Sequence, residues 1–128
     1  MTAPLWTPGA ERIANAQISR FIMFVNQHCR ASVSPDYFSL HAWAVANTED
    51  FWSAVWDFSA VVASARGADV LLDAQKFPGA RWFPQARLNF AENLLRYRDE
   101  RPALVSLLEN GERRELSYAD LYGEVAAL

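Results

Sequence analysis

The stretch ERIANAQISRFIMFVNQHCR, residues 11–30, decides how the first half of this chain folds. Ala14, Ile18, Phe21, Ile22, Val25 and Cys29 fall at offsets 0, 4, 7, 8, 11 and 15, so a helix over Glu11–Arg30 sets them on one continuous face. Arg12, Asn15, Ser19, Asn26 and Arg30 take the opposite side. Cys29 sits on the apolar face and reads as a small core residue rather than a nucleophile. Upstream, residues 1–10 read as an extended lead-in in which Thr7 caps the helix and Pro8 takes its first position.

A helix with one apolar face needs partners, and the next segments supply them. Ser34-Pro35-Asp36 repeats the cap-then-proline signature and predicts a second helix to about Ala46, burying Phe38, Leu40, Trp43 and Ala44. Asn47-Thr48-Glu49-Asp50 then caps a third, its acids placed at the positive end of the new dipole. Trp52, Val55, Trp56, Ser59 and Val62 recur on it at helical spacing. Three helices with one wet face each should pack together.

Gly67 marks a change of character. Val70-Leu71-Leu72 predicts a short strand, and Lys76–Asn89, holding Pro78, Gly79 and Pro84, predicts irregular backbone. A short helix follows over Phe90–Arg98, with Leu94, Leu95 and Tyr97 facing inward. Strands over Ala103–Glu109 and Glu112–Leu116 flank Asn110-Gly111, the signal of a type I′ hairpin turn. Ser117 and Asp120 form a variant capping box ahead of a last helix carrying Leu121, Val125 and Leu128. That helix lacks a stop signal and the hairpin has little company, so the pattern predicts a truncated chain.

Composition narrows the class. The chain has 128 residues, 52% hydrophobic, with five Trp, eight Phe and four Tyr, which is material for a packed interior and not for a disordered tail. Residues 1–66 carry four Arg against five acids, and residues 67–128 eight basic residues against ten acids. Neither half has the basic surplus that nucleic acid demands. The longest uncharged run, Tyr37–Thr48, is too short for a membrane span, and the N-terminus has no signal-peptide pattern. One cysteine forbids an internal disulfide, which suits a reducing, cytoplasmic setting.

The residues offer little chemistry. His28, Cys29 and His41 are too few and too scattered for a zinc site, and they read as surface or packing residues. Gly9, Gly67, Gly79, Gly111 and Gly123 are isolated, so no phosphate-cradling loop is encoded. Asp99-Glu100 lies beside Arg98 and Arg101 and reads as a solvated helix end, and Arg113-Arg114, flanked by Glu112 and Glu115, as a turn edge. The one segment open to a second reading is Lys76–Pro84. Its aromatics Phe77, Trp82 and Phe83 read as a lid on the helical core, covered by Arg81, with a ligand loop as the alternative. No catalytic, cofactor-binding or metal residue is assigned.

Pro78-Gly79-Ala80-Arg81-Trp82-Phe83-Pro84, followed by Ala86-Arg87-Leu88-Asn89-Phe90-Ala91-Glu92-Asn93-Leu94-Leu95, closely resembles the N-terminal region of the acetoacetyl-CoA synthetase family. Leu5-Trp6-Thr7-Pro8, Arg12–Ala16, Glu49-Asp50-Phe51-Trp52 and Val55-Trp56-Asp57-Phe58 resemble the same family, so the likeness covers essentially the whole chain. Acetyl- and propionyl-CoA synthetases share a looser version, and Leu116–Tyr122 is similar to a segment common among adenylate-forming enzymes. The resemblance implies an α+β, mainly helical fold. Residues 1–66 would be an N-terminal helical extension, and residues 67–128 the incomplete beginning of the large adenylation domain, its first hairpin and helix. It further implies a parent ligase using ATP, Mg²⁺ and CoA, with the rest of the adenylation domain as this chain's partner. The family's phosphate loop, acidic ribose contact and C-terminal lysine have no counterpart here; the only lysine is Lys76. The fragment itself therefore reads as structural and inactive. The alternative, a free-standing helical module that self-associates, rests on the open hairpin and the last helix.

Overall fold

The computed structural model describes residues 5–128, and they form six helices and two small antiparallel sheets, a mainly helical α+β arrangement. The described residues up to Val61, together with Arg66–Gln85, make one compact unit; Val62–Ala65 and Ala86–Leu128 make a second. These units differ from a single cut at 66/67, because the aromatic loop packs with the helices that precede it.

In the first unit the long helix foreseen over Glu11–Arg30 is broken. Helix α1 spans Ala10–Ala14 and α2 spans Gln17–His28. Ala16 between them is extended (φ −67°, ψ 144°), and the Ile13 carbonyl accepts from both the Ala16 N–H at 3.1 Å and the Ser19 hydroxyl at 2.6 Å, which ties the two helices across the break. Gly9, not Thr7, stands at the start of α1. Arg30 takes a left-handed φ of 52°, which stops α2 two residues before the expected end. The apolar face holds where it matters: Phe21, Ile22 and Val25 are buried, and Val25 is fully so. Ile18 and Ala14 are exposed, because the break turns their end of the face away from the core.

Helix α3 (Tyr37–Ala46) is capped by Asp36 rather than Ser34: the Asp36 carboxylate accepts from the Ser39 N–H at 2.9 Å and the Ser39 hydroxyl at 2.7 Å. Leu40 is buried and Trp43 packs against the core, but Phe38 faces solvent. Asn47 ends α3 and begins α4 (Thr48–Phe58). Helix α4 closes in a Schellman turn, Ala60 N–H to Asp57 C=O and Val61 N–H to Trp56 C=O, with Ala60 left-handed. Ser59 and Val62 are thus beyond the helix, and the face turned to the core is Phe51, Ala54, Val55 and Phe58. Phe21 meets Phe51 edge-on at 5.7 Å and Phe58 at 5.2 Å, and Phe24 meets Phe58 at 5.5 Å.

Two details lock this core. Asn26, assigned to the wet side by periodicity, uses its amide to exchange two hydrogen bonds with the Val33 backbone at 2.8 and 2.9 Å. The pair anchors the turn after α2 and keeps Val33 inside. Strand β1 (Leu71–Leu72) forms within the short strand expected at Val70–Leu72, and it pairs with β2 (Arg81–Trp82), which lies inside the segment expected to be irregular.

The second unit contains α5 (Phe90–Leu94), the hairpin β3 (Pro102–Leu107) and β4 (Arg113–Ser117), and α6 (Tyr118–Ala126). Of the two turn residues only Gly111 has a positive φ, 82°, and its N–H bonds to the Leu108 carbonyl while Leu108 N–H bonds to Glu112. The connection is therefore a three-residue loop ending in a left-handed glycine, not a type I′ turn. The capping box at Ser117 and Asp120 is formed as expected. Asn93 clamps the returning segment: its amide accepts from Val62 N–H and donates to Val62 C=O, both at 2.8 Å. No side chain in this unit is buried.

Two outcomes are expected. Phe21→Ala removes the ring between α2 and α4 and lowers stability by about 3–5 kcal/mol, read by urea unfolding. Asp36 holds its carboxyl below the usual range through the Ser39 hydroxyl and N–H, and Asp99 does so through the Arg101 guanidinium. A lowered folded pKa means stability that is present above about pH 4 and lost as pH falls through the folded value, so Asp36→Ala flattens the acid limb of the urea midpoint between about pH 5 and 2.

Candidate functional site

The loop after β1 is held to the outer side of α4 by aromatic and ionic contacts. Trp82 meets Trp52 at 5.4 Å, and Phe83 lies over Trp56 at 4.7 Å. Phe83 N–H bonds to the Val70 carbonyl at 2.8 Å, and its backbone is held at a left-handed φ of 42°, a costly state for an aromatic residue. Asp73, itself left-handed, pairs with Lys76 at 2.9 Å and Arg81 at 3.5 Å. Gly67 allows the chain to pass Gln85: a Cβ there would come within 2.6 Å of the Gln85 side chain. Gln85 in turn bonds the Asp69 carboxylate.

Arg66 joins these parts. Its guanidinium donates to Asp57 at 2.8 Å and to the Ser53 hydroxyl at 2.6 Å, and its carbon lies 5.6 Å from the Trp56 ring centre and 5.9 Å from that of Phe83. Sequence reasoning passed over Arg66. The signal available was a lone arginine a little over two helical turns beyond Asp57 and just ahead of a glycine. Trp82 and Phe83 thus do cover part of a helix, but the outer side of α4 rather than the core, and Phe77 extends fully into solvent. Arg81 leans on Asp73 instead of lying over the aromatics. Trp52, Trp82 and Phe83 line an open apolar cleft of about 300 Å³.

The remaining candidates fall apart as chemistry. His28 stacks on Phe24 at 4.0 Å and its Nδ1 lies 2.9 Å from the Phe24 carbonyl; His41 stacks on Tyr37. Cys29 shares a cleft of about 260 Å³ with His28, Asp50, Ser53 and Asp57. Burial first, then the charges of Asp50 and Asp57, push its thiol pKa up, the opposite of what a nucleophile needs. Asp99 is taken by Arg101, whose Nε and Nη2 donate to it at 2.9 and 2.8 Å. Glu112 is held below its usual pKa by Arg114, and Arg113 pairs with Glu115. Among the described residues no three His, Cys, Asp or Glu gather as a metal site, and no helix is long and apolar enough to cross a membrane.

What the loop and its helices do form is a recognisable scaffold. Residues 37–94 match the family model described as acetyl-coenzyme A synthetase N-terminus, so this stretch is similar to the class of acyl-CoA synthetase N-terminal regions. Within it, the chain is similar to the acetoacetyl-coenzyme A synthetase of Rhizobium meliloti (strain 1021), 35% identical over 98% of this chain and 19% of the relative. It is also similar to the malonamoyl-CoA synthetase of Penicillium aethiopicum, 33% identical over 91% of this chain and 17% of that protein. The solved acetoacetyl-CoA synthetase from Streptomyces lividans superposes with a TM-score of 0.88 at 41% identity, over 99% of this chain and 20% of its own. The particular likeness is to the N-terminal region of acetoacetyl-CoA synthetases, and the chain spans about a fifth of the length of these relatives.

Arg66→Lys keeps the charge but loses the planar fork, and costs about 1 kcal/mol in urea unfolding. Arg66→Ala costs more and shifts tryptophan emission further to the red, because Trp56 and Trp82 gain water. Cys29 reacts with iodoacetamide more slowly than a free thiol at pH 7.5, and its rate climbs as pH passes above the unperturbed thiol value of 9.0.

Proposed function

We propose that this chain is the N-terminal part of an ATP-dependent acetoacetate–CoA ligase, which joins acetoacetate, ATP and CoA to give acetoacetyl-CoA, AMP and diphosphate. The observation that carries this reading is the likeness over nearly the whole chain in both sequence and fold to acetoacetyl-CoA synthetases. ATP, Mg²⁺ and CoA belong to that whole enzyme, and no residue of this chain is assigned to hold them. Residues 1–66 act as the helical extension, and residues 67–128 as the opening of the large adenylation domain; their natural partner is the rest of that domain. The site of action is the cytoplasm.

The part played by these residues is structural. The α4–Arg66–Phe83 assembly sets a rigid aromatic surface, and rigid surfaces of this kind position the loops of a neighbouring domain. The 128 residues alone carry no activating machinery and are inactive as a ligase. A second reading, an acetate- or propionate-activating enzyme, is favoured by the description of the family model that matches residues 37–94. The named relatives with different acyl groups match this region about equally well, which supports a choice of acid made outside these 128 residues.

Pyrophosphate release with ATP and CoA, measured on the full gene product, separates these readings. Acetoacetate is expected to be turned over with a higher kcat/KM than acetate or propionate; the reverse order supports the second reading. The isolated 128 residues release none, and turnover by them alone would refute the structural role.

A further inference from the structure

Helix α3 is apolar on every side. Its residues, Tyr-Phe-Ser-Leu-His-Ala-Trp-Ala-Val-Ala, include no Asp, Glu, Lys or Arg, and a helix of that kind in a folded protein is one that is covered all round. Among the described residues only one side of it is covered. Leu40 is buried and Trp43 packs on the core, while Tyr37, Phe38, His41, Ala42, Val45 and Ala46 are exposed. These residues make two rows at i, i+4 spacing, 37-41-45 and 38-42-46, and so form one continuous stripe along the helix. Phe38 is 80% exposed, Val45 66% and Tyr37 59%. The rings hold one another in place: Tyr37 meets Phe38 edge-on at 5.5 Å and stacks on His41 at 5.9 Å. The Ser39 hydroxyl is taken by Asp36.

The area, the side-chain sizes and the flanking charges of this stripe identify what fits on it. Two aromatic rings exposed by more than half, with Val45 and the small residues beside them, offer on the order of 500 Å². Two such stripes face to face remove about 1,000 Å² from water, the lower bound for a specific interface. Read in opposite directions from a point between His41 and Ala42, the helix sets Tyr37 against Ala46, Phe38 against Val45 and His41 against Ala42. Each pair opposes a larger side chain to a smaller one, which lets two apolar faces interlock without voids. The pattern is its own complement, as a two-fold interface requires. The flanks carry Asp36, Glu49 and Asp50, whereas helices that lie on lipid surfaces carry basic flanks. In the antiparallel pairing Asp36 falls against Asn47 and Glu49 against Ser34, so acids of the two copies do not meet.

We propose that a second copy of this chain docks on the outer side of α3, with the two helices antiparallel and the two-fold axis passing between His41 and Ala42. An interface of this size makes a weak dimer that assembles as concentration rises. The surface is read from α3 alone and does not rest on the ligase reading.

Sedimentation equilibrium of the 128-residue chain and of the full gene product, over about 1 to 300 μM, tests it. In both, the apparent mass is expected to climb toward that of two copies. Val45→Glu and Phe38→Lys each bury a charge against an apolar side chain of the second copy and weaken association roughly ten-fold or more. Both positions face solvent in the single copy, so far-UV circular dichroism and the urea midpoint stay unchanged. Mixed together, the two variant chains associate again. In the antiparallel register the introduced carboxylate meets the introduced ammonium, while the unaltered Phe38 meets the unaltered Val45. Single copies at every concentration overturn the proposal. Association that both variants leave unchanged puts the contact elsewhere and overturns it too, and a mixture that stays monomeric overturns the antiparallel pairing. Association of the 128-residue chain but not of the full product makes the rest of that longer chain the occupant of α3, against the proposal. None of these outcomes touches the ligase reading, which pyrophosphate release decides.

Discussion

Helix α4 is used on both sides, and the first unit depends on that constraint. Its inner side, Phe51, Ala54, Val55 and Phe58, closes the core around Phe21 and Val25. Its outer side, Trp52, Ser53, Trp56 and Asp57, receives Trp82, Phe83 and Arg66. A helix that serves two layers carries aromatic residues on both of those sides. This is why so short a segment holds two Trp and two Phe, and why the small Ala54 is its most buried member. Edge-on ring contacts fix angles as well as bury area, so the inner layer sets the orientation in which the outer one is presented.

The loop is ordered at a visible conformational cost. Asp73 and Phe83 both adopt left-handed backbone without being glycine, and Gly67 and Gly79 take positive φ of 82° and 133° where a side chain would meet Gln85 or Lys76. Such positions persist only when the surroundings over-determine them. Here the Asp73 ion pairs, the Phe83–Val70 hydrogen bond and the Arg66 fork do so. The second unit has a different balance: caps and clamps at Ser117, Asp120 and Asn93 define its geometry, but it buries no side chain. Its local structure is well specified and its apolar surface is left for something else to cover.

Much of this was legible from residues alone. The periodicity of Phe21, Ile22 and Val25, the cap-rich starts of α3, α4 and α6, and the two hairpin strands all follow from local rules. The aromatic strings around Trp82 and Asn93 carried the likeness to acetoacetyl-CoA synthetases, and relatives and fold agree with it. The misreadings share a cause. The rotation of the α4 face by one residue depends on contacts with rings far away in sequence, which a periodic pattern cannot register. Arg66 and Asn93 escaped notice for the same reason: a single polar residue gives no pattern, and its value lies in the backbone or ring that the fold brings to it.

The sequence by itself determined most of the helices and strands, though not β2 or the break at Ala16, and which family they resemble, because caps, turns and apolar spacing act within a few residues. Tertiary structure alone decided which face of α4 looks inward, that the aromatic loop belongs with the helices rather than with the hairpin, and which side of α3 is left open. Those choices turn on long-range packing. Turning a helix by one residue leaves the composition unchanged and moves every side chain to a different face.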